Sequence, residues 1–149
     1  MSTTPCCRLR KSTCEQALHA GYQHRLRACA TPQGGVAERI AEVGPDAICV
    51  SIITAAELRY GCVRKGSPKL TAQIDAILGS MQVLALVVPA DTEYGGIRVD
   101  LEAAGMPIGP NDLFIAAHAS ALGAVLVTAN TREFKRVRTL RVESWLETR

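Results

Sequence analysis

The sequence predicts an α/β fold in which a parallel sheet of four to five strands lies between layers of helices. Short apolar segments alternate along the chain with segments whose apolar residues recur at helical spacing. The apolar runs are continuous, as in strands that are covered on both faces. The chain has 149 residues, of which 48% are hydrophobic, and this suits one compact domain with a buried core.

The first half of this alternating pattern predicts a helix, a strand and two further helices. Residues 36–43 show helical apolar spacing, and residues 47–53 (AICVSII) form a continuous, β-branched run. The next helix is predicted to begin at Thr54. The third is predicted to begin with Ser67 as its N-cap and Pro68 in its first turn.

The second half predicts three more strands and two long helices. Strands are expected at residues 83–88 and 124–128, and a short one at residues 141–144. A helix capped by Asp91 follows the first of these strands, and another begins at Pro110. Strands that alternate with helices in this way pair in parallel through right-handed crossovers.

The first 35 residues differ from the rest and form an anomalous tail, with the folded domain predicted at residues 36–149. Five basic residues and one acidic residue give residues 1–27 a charge of +4. Because the net charge of the whole chain is +3, residues 28–149 have a net charge of −1. The basic balance therefore gives the main domain no nucleic-acid-binding footprint. The tail also holds four of the six cysteines, but no C-x-x-C pair, which argues against a zinc site.

No apolar stretch of the sequence is long enough to span a membrane. No apolar run follows the N-terminal basic residues, as it would in a secretory signal. The protein is therefore expected to be cytoplasmic.

Three acidic residues lie in connections that should meet at one edge of the sheet. Glu57 follows the first predicted strand, Asp112 opens the helix before the third, and Glu133 follows the third together with Asn130. Ligands of open α/β sheets bind beyond the carboxyl ends of the strands. Carboxylates gathered there repel one another unless a cation lies between them, and Mg²⁺ and Mn²⁺ prefer such oxygen ligands. The pattern favours a metal-assisted hydrolytic site.

Each acid also has a purely structural interpretation. Thr54 and Glu57 fit a capping box, Asn130 and Glu133 fit a similar helix start, and Asp112 suits the positive end of its helix. Taken singly, each acid is better explained in this way. The coincidence of three acids in three connections of one small sheet favours the shared site.

Three segments of the chain carry recognisable motifs, followed by a tryptophan near the end, Trp145. They are ITAAELRYG (Ile53–Gly61), GMPIGPNDLFIAAHA (Gly105–Ala119) and VTANTREFKRV (Val127–Val137). In sequence, order and spacing they resemble the motifs of PIN-domain ribonuclease toxins of the VapC type, from type II toxin–antitoxin systems. The resemblance extends from about Pro45 to Trp145.

The resemblance implies a PIN-like three-layer fold and a Mg²⁺- or Mn²⁺-dependent endoribonuclease. It implies an RNA substrate, a cognate antitoxin protein and a homodimer, without membrane association. By position, Glu57 and Asp112 match the second and third acids of the family and are implied to be catalytic metal ligands. Glu133 or Asn130 occupies the variable fourth position, with Glu133 as the implied third catalytic residue. Thr128 and Asn130 are implied to position the substrate.

The resemblance fails at the N-terminus. The family opens with an apolar strand that runs into Asp-Thr-Asn, whereas the first 35 residues contain no aspartate and no strand-like run. The sheet is therefore expected to lack its first strand and the site its first metal ligand, which would impair ribonuclease activity. The alternative function is a catalytically inactive PIN domain that binds an antitoxin or a second copy of itself.

A shift of reading frame would account for this departure. Residues 18–25 (LHAGYQHR) can be encoded by CTA CAT GCT GGA TAC CAA CAT CGC. Read one base later, the same bases encode Tyr-Met-Leu-Asp-Thr-Asn-Ile, which is the missing opening. We therefore hypothesise that residues 1 to about 35 are translated out of frame; the alternative is a genuine divergent tail.

Overall fold

The computed structural model describes residues 18–20, 39–42, 44 and 47–145. The described residues include a five-stranded sheet, all of whose strands are parallel, in the order β3-β2-β1-β4-β5. The strands are β1 (Leu18–Ala20), β2 (Ile48–Ser51), β3 (Gln82–Leu84), β4 (Val125–Val127) and β5 (Arg141–Glu143).

Helices connect these strands, as parallel pairing requires. They are α1 (Ile52–Lys65), α2 (Pro68–Gly79), α3 (Ala90–Ala103), α4 (Pro110–Ala121) and α5 (Thr131–Phe134), and residues 39–42 are also helical. No helix in the described part of the chain is long and apolar enough to cross a membrane. The predicted α/β class and its parallel sheet are confirmed.

The expectation that the sheet lacks its first strand is wrong. β1 lies at the centre of the sheet, where Leu18 is in register with Ile48 of β2 and with Val125 of β4. Without it, the fully buried β2 and β4 would each leave backbone groups unpaired in the interior, which is costly. Strands pair through backbone hydrogen bonds, and the strand preference of side chains depends on their context. The segment Leu-His-Ala therefore joins the sheet although its residue types do not predict a strand.

The division of the chain at residue 35 stays a prediction, although β1 shows that part of the predicted tail joins the sheet. Residues 21–38 and the four N-terminal cysteines lie outside the described residues. The absence of a zinc site in this tail is therefore also still a prediction.

Two predicted helix starts are wrong. α1 begins at Ile52 rather than Thr54, because the Ser51 side chain is the N-cap and accepts a hydrogen bond from the backbone N–H of Ile53. α3 begins at Ala90, and Asp91 lies in its first turn instead of capping it. By contrast, Ser67 caps α2 as predicted.

Core residues cover both faces of the sheet. Successive side chains of a strand point to opposite faces, and β4 accordingly sends Leu126 into one cluster while Val125 and Val127 enter another. The first cluster is formed with residues of α3, α4 and α5, and the second includes Ile48 of β2 and Trp145. A third cluster packs α1 and α2 against β2. This packing holds the helix ends that carry the acidic residues.

Candidate active site

The order of the strands reverses at β1, since the chain places β2 and β3 on one side of it and β4 and β5 on the other. Parallel sheets bind ligands at such a reversal, beyond the carboxyl ends of the strands. α1 leaves the carboxyl end of β2 directly, and α5 follows β4. α4 precedes β4, and Asp112 in its first turn is close to Glu133, which follows β4, and within reach of the charge of Glu57 on α1. These three helices carry the predicted acids.

Asp112 is half-buried in the first turn of α4. Burial, a hydrogen bond with Glu133 and the negative charges of Glu133 and Glu57 raise the pKa of Asp112 from 3.8 to about 6. A hydrogen bond between two carboxyl groups requires that one of them carries the proton. The structure therefore brings Asp112 into contact with Glu133 and within the electrostatic reach of Glu57. The positive N-terminal end of α4 favours the ionised form of Asp112, but it does not offset the effects of burial and of the neighbouring carboxylates on the pKa.

Glu57 lies in the second turn of α1, and its Oε1 atom accepts a hydrogen bond from Asn111 Nδ2. The capping-box interpretation of Thr54 and Glu57 is excluded, because the helix is capped by Ser51 and Thr54 is a buried helical residue. Asn111 was not predicted from the sequence as a residue of the site. The feature that could have indicated it is its position in the sequence, next to Asp112 at the start of α4.

Thr128 holds the turn that carries Glu133. Its side chain is 3% exposed, and its Oγ1 atom accepts a hydrogen bond of 3.1 Å from the backbone N–H of Asn130. Its own backbone N–H donates to the carbonyl of Glu143 in β5. Asn130 is the N-cap residue of α5 but makes no side-chain capping bond, so the alternative capping role of Glu133 finds no support either. Substrate positioning by Thr128 and Asn130 stays a prediction.

The chemistry of these side chains suits a hard divalent cation. Carboxylate and amide oxygens are the ligands that Mg²⁺ and Mn²⁺ prefer. Burial and then the neighbouring carboxylates of Glu133 and Glu57 raise the pKa of Asp112, and a cation beside it would favour its charged form. Within residues 39–145, as far as they are described, no three acidic, cysteine or histidine side chains are already grouped around one point. Asp112 instead bonds Glu133, while Glu57 bonds Asn111.

A cavity of about 270 Å³ lies between α3 and the start of α4. It is lined by Tyr94, Arg98 and Pro110, among others, and Pro110 is the first residue of the helix that carries Asp112. The Tyr94 ring stacks on Phe114 with 4.5 Å between the ring centroids. The polar groups of this cavity are the Tyr94 hydroxyl and the ion pair of Arg98 with Glu102.

The sequence pattern of the PIN domain matches residues 32–140 of this chain. The chain belongs to the PIN-domain family. It is 41% identical over 99 residues to the tRNA(fMet)-specific endonuclease VapC of Shigella flexneri, and this alignment covers 66% of this chain and 75% of that protein. It is likewise 41% identical over 100 residues to Ribonuclease VapC2 of Haemophilus influenzae, with 66% and 76% covered.

Solved structures show the same PIN fold. The VapBC2 complex of Rickettsia felis, bound to a promoter DNA fragment, aligns with a TM-score of 0.79 and 32% identity over 87% of this chain and 98% of that one. DNA-bound VapBC of Salmonella typhimurium aligns with a TM-score of 0.77 and 30% identity over the same shares. The structural match is longer than the sequence match to the family, which begins only at residue 32.

Proposed function

We propose that this PIN domain is a metal-dependent endoribonuclease and the toxin of a type II toxin–antitoxin pair. The proposal is supported by VapC relatives named as ribonucleases at 41% identity. One observation of this chain carries it: beyond the carboxyl ends of the parallel strands, Asp112 contacts Glu133 and is within reach of the charge of Glu57, and its pKa is raised to about 6. Such crowding of carboxylates is unfavourable for the fold itself and suits a site that takes up a cation.

Asp112 and Glu57 are the residues that would hold Mg²⁺ or Mn²⁺. When bound, such an ion acidifies water and neutralises charge on the phosphate. Glu57 also orients the attacking water, and Glu133 accepts its proton. The water oxygen then bonds to phosphorus, one P–O ester bond to ribose breaks, and the leaving oxygen takes up a proton from solvent. Thr128 and Asn130 keep the turn before Glu133 in place and position the RNA.

The proposed partners are a cognate antitoxin and a second copy of the chain. VapBC complexes among the structural neighbours support an antitoxin. The side chains of Tyr60 and Val63 on α1 are 62% and 81% exposed and provide apolar surface for a protein partner. Co-expression with the product of a neighbouring small gene, followed by light scattering of the purified complex, measures both interactions.

The nuclease proposal is tested with the purified full chain and structured RNA. Cleavage should require Mg²⁺ or Mn²⁺, stop with EDTA and be lost in Asp112→Asn. The matched control is Asp100→Asn, which removes an exposed carboxylate from α3 and should cleave at the wild-type rate. Cleavage by Asp112→Asn at the wild-type rate would contradict the proposed site.

A specific feature favours the alternative of an inactive binding module. The residue that follows β1 in the sequence is Gly21, where the family has its first acid, and glycine has no ligand atom in a side chain. In a growth assay, toxicity that depends on Asp112 supports the enzyme. Equal growth with the unchanged chain and with Asp112→Asn, while antitoxin binding is retained, supports the binding module.

We further propose that the N-terminal residues are translated out of frame. β1 consists of Leu18–Ala20, and codons that can encode this segment spell, when read one base later, the Tyr-Met-Leu strand of the family opening. The aspartate of that opening then falls at the codon of Gly21, one residue beyond the strand. In the restored frame, residues 18 to about 35 would belong to the PIN domain. Sequencing of the gene decides this, since bases that cannot spell Asp-Thr-Asn exclude it.

A further inference from the structure

We propose that His118 is a positioning residue of the acid site, because its bond to Ser51 sets where α1 places Glu57 relative to Asp112. The proposal rests on the proposed function for the role of that site, but its geometry stands independently. His118 and Ser51 are 67 residues apart in the sequence, and their contact joins the last turn of α4 to the junction between β2 and α1.

The contact is fully buried. Ser51 is 0% and His118 is 1% exposed, and the distance from Ser51 Oγ to His118 Nδ1 is 3.0 Å. The same Oγ atom accepts the N–H of Ile53 and so caps α1. The Ser51 Oγ atom, which caps α1, therefore also connects the start of α1 to α4.

His118 also contacts the segment that follows a second strand, β3. Burial lowers the pKa of its imidazole, and a hydrogen bond with the backbone of Ala85 acts in the opposite direction. Ala85 directly follows β3. One side chain of α4 thus contacts the segments that leave two neighbouring strands, at the edge of the sheet where the acids lie.

A second polar contact links the same two helices nearer the acids. Glu57 on α1 accepts a hydrogen bond from Asn111 on α4, next to Asp112. Along α1, Ser51 and Glu57 are about 9 Å apart, and along α4, Asn111 and His118 are about 10 Å apart, at 1.5 Å per residue. The two contacts have nearly the same spacing along both helices, so they can form together only when α1 and α4 are antiparallel and in this register.

Of the two contacts, the buried one controls the register. Loss of either partner leaves a buried polar group without its hydrogen bond, which costs the full desolvation of that group. The bond between Glu57 and Asn111 is exposed, so water can replace it at little cost. Without the Ser51 contact, α1 is free to shift or rotate, and the Glu57 carboxylate moves with it.

The test uses two matched substitutions of His118 in the full chain. Asparagine places an amide close to the position of Nδ1 and keeps the bond to Ser51, whereas glutamine places its amide farther out and loses it. Ser51→Ala removes the bond from the other side. Leu140→Ala is the control for general loss of stability, because Leu140 is a buried core residue in the segment before β5.

The first readout is the NMR resonance of the Asn111 side-chain amide, with Glu57→Ala as the reference in which its bond is absent. His118→Gln and Ser51→Ala should shift this resonance towards that reference. His118→Asn and Leu140→Ala should leave it at the wild-type position. An unchanged resonance in folded His118→Gln overturns the proposal, as does an equal shift in Leu140→Ala. If Ser51→Ala does not fold, the His118 pair gives the answer.

The second readout is RNA cleavage. His118→Gln should lower kcat by about 10- to 100-fold, the effect of a displacement of about 1 Å at a reacting group. KM should stay within about two-fold, because the RNA-binding surface is unchanged, and His118→Asn should restore kcat. If the wild-type chain does not cleave RNA, the proposed function fails, while the amide resonance still decides whether His118 positions Glu57.

Discussion

Replacement of Asp112 by asparagine should stabilise the fold at neutral pH and abolish the proposed cleavage. The folded-state pKa of Asp112 is about 6, above its ordinary value of 3.8, because of burial and then its contacts with Glu133 and the charge of Glu57. A raised carboxyl pKa means that the folded state holds the proton more tightly than the unfolded state. This contribution to stability is therefore full at acidic pH and is lost as the pH rises from about 4 through 6.

The size of the effect follows from the pKa. A rise from 3.8 to about 6, at about 1.4 kcal/mol per pH unit, sets an upper limit of about 3 kcal/mol. Solvent reaches the half-buried Asp112 and screens the repulsion, so we expect about 1 kcal/mol at pH 7.5. Asparagine cannot ionise and still donates a hydrogen bond to Glu133. For a domain of this size the gain corresponds to about 2–4 °C in Tm.

Urea denaturation of the wild type and Asp112→Asn at pH 4.5 and 7.5, in buffer with EDTA, measures this gain. The free energies of unfolding of the two proteins should differ less at pH 4.5, where the folded wild type still holds the proton, than at pH 7.5. Asp100→Asn, an exposed substitution on α3, should show no such pH-dependent difference. If the difference between Asp112→Asn and the wild type is the same at both pH values, the inferred coupling of the carboxylates is wrong.

Three further predictions concern the sequence around the site and the fold. Gly21→Asp should raise RNA cleavage by about ten-fold or more if the family's first ligand is missing here, because it restores a carboxylate beyond β1; no change in rate would contradict this. Thr128→Val should lower the free energy of unfolding by about 1 to 2 kcal/mol, because the Asn130 N–H loses its acceptor, while Thr128→Ser should unfold like the wild type in urea. Ser67→Ala should cost about 1 kcal/mol in the same assay, because the N–H of Leu70 at the start of α2 loses its cap.

The sequence indicated which acids the fold brings near one another, because parallel strands bring their carboxyl ends to one edge. Asp112 and Glu133 lie in contact, and Glu57 acts on Asp112 through its charge. Which side chain would partner Glu57 was not predictable. Asn111 comes near it only through the packing of α1 against α4, two helices that are distant in the sequence.

Local rules failed where a tertiary contact competed with them. Thr54 and Glu57 satisfy the capping-box pattern, yet the helix begins earlier, because Ser51 at the end of β2 caps it and is also bonded to His118. Sequence patterns describe which residues are able to cap a helix. The contacts made by the competing residue decide which of them does.

By itself, the sequence determined the α/β class, the parallel sheet, the order of the helices and the acids that meet beyond its strands. These follow from apolar periodicity and from residues near one another along the chain. Only the tertiary structure decided that Leu18–Ala20 is the central strand and that Ser51 and His118 join α1 to α4. Backbone pairing and long-range hydrogen bonds depend on segments far apart in the sequence, so no local pattern records them.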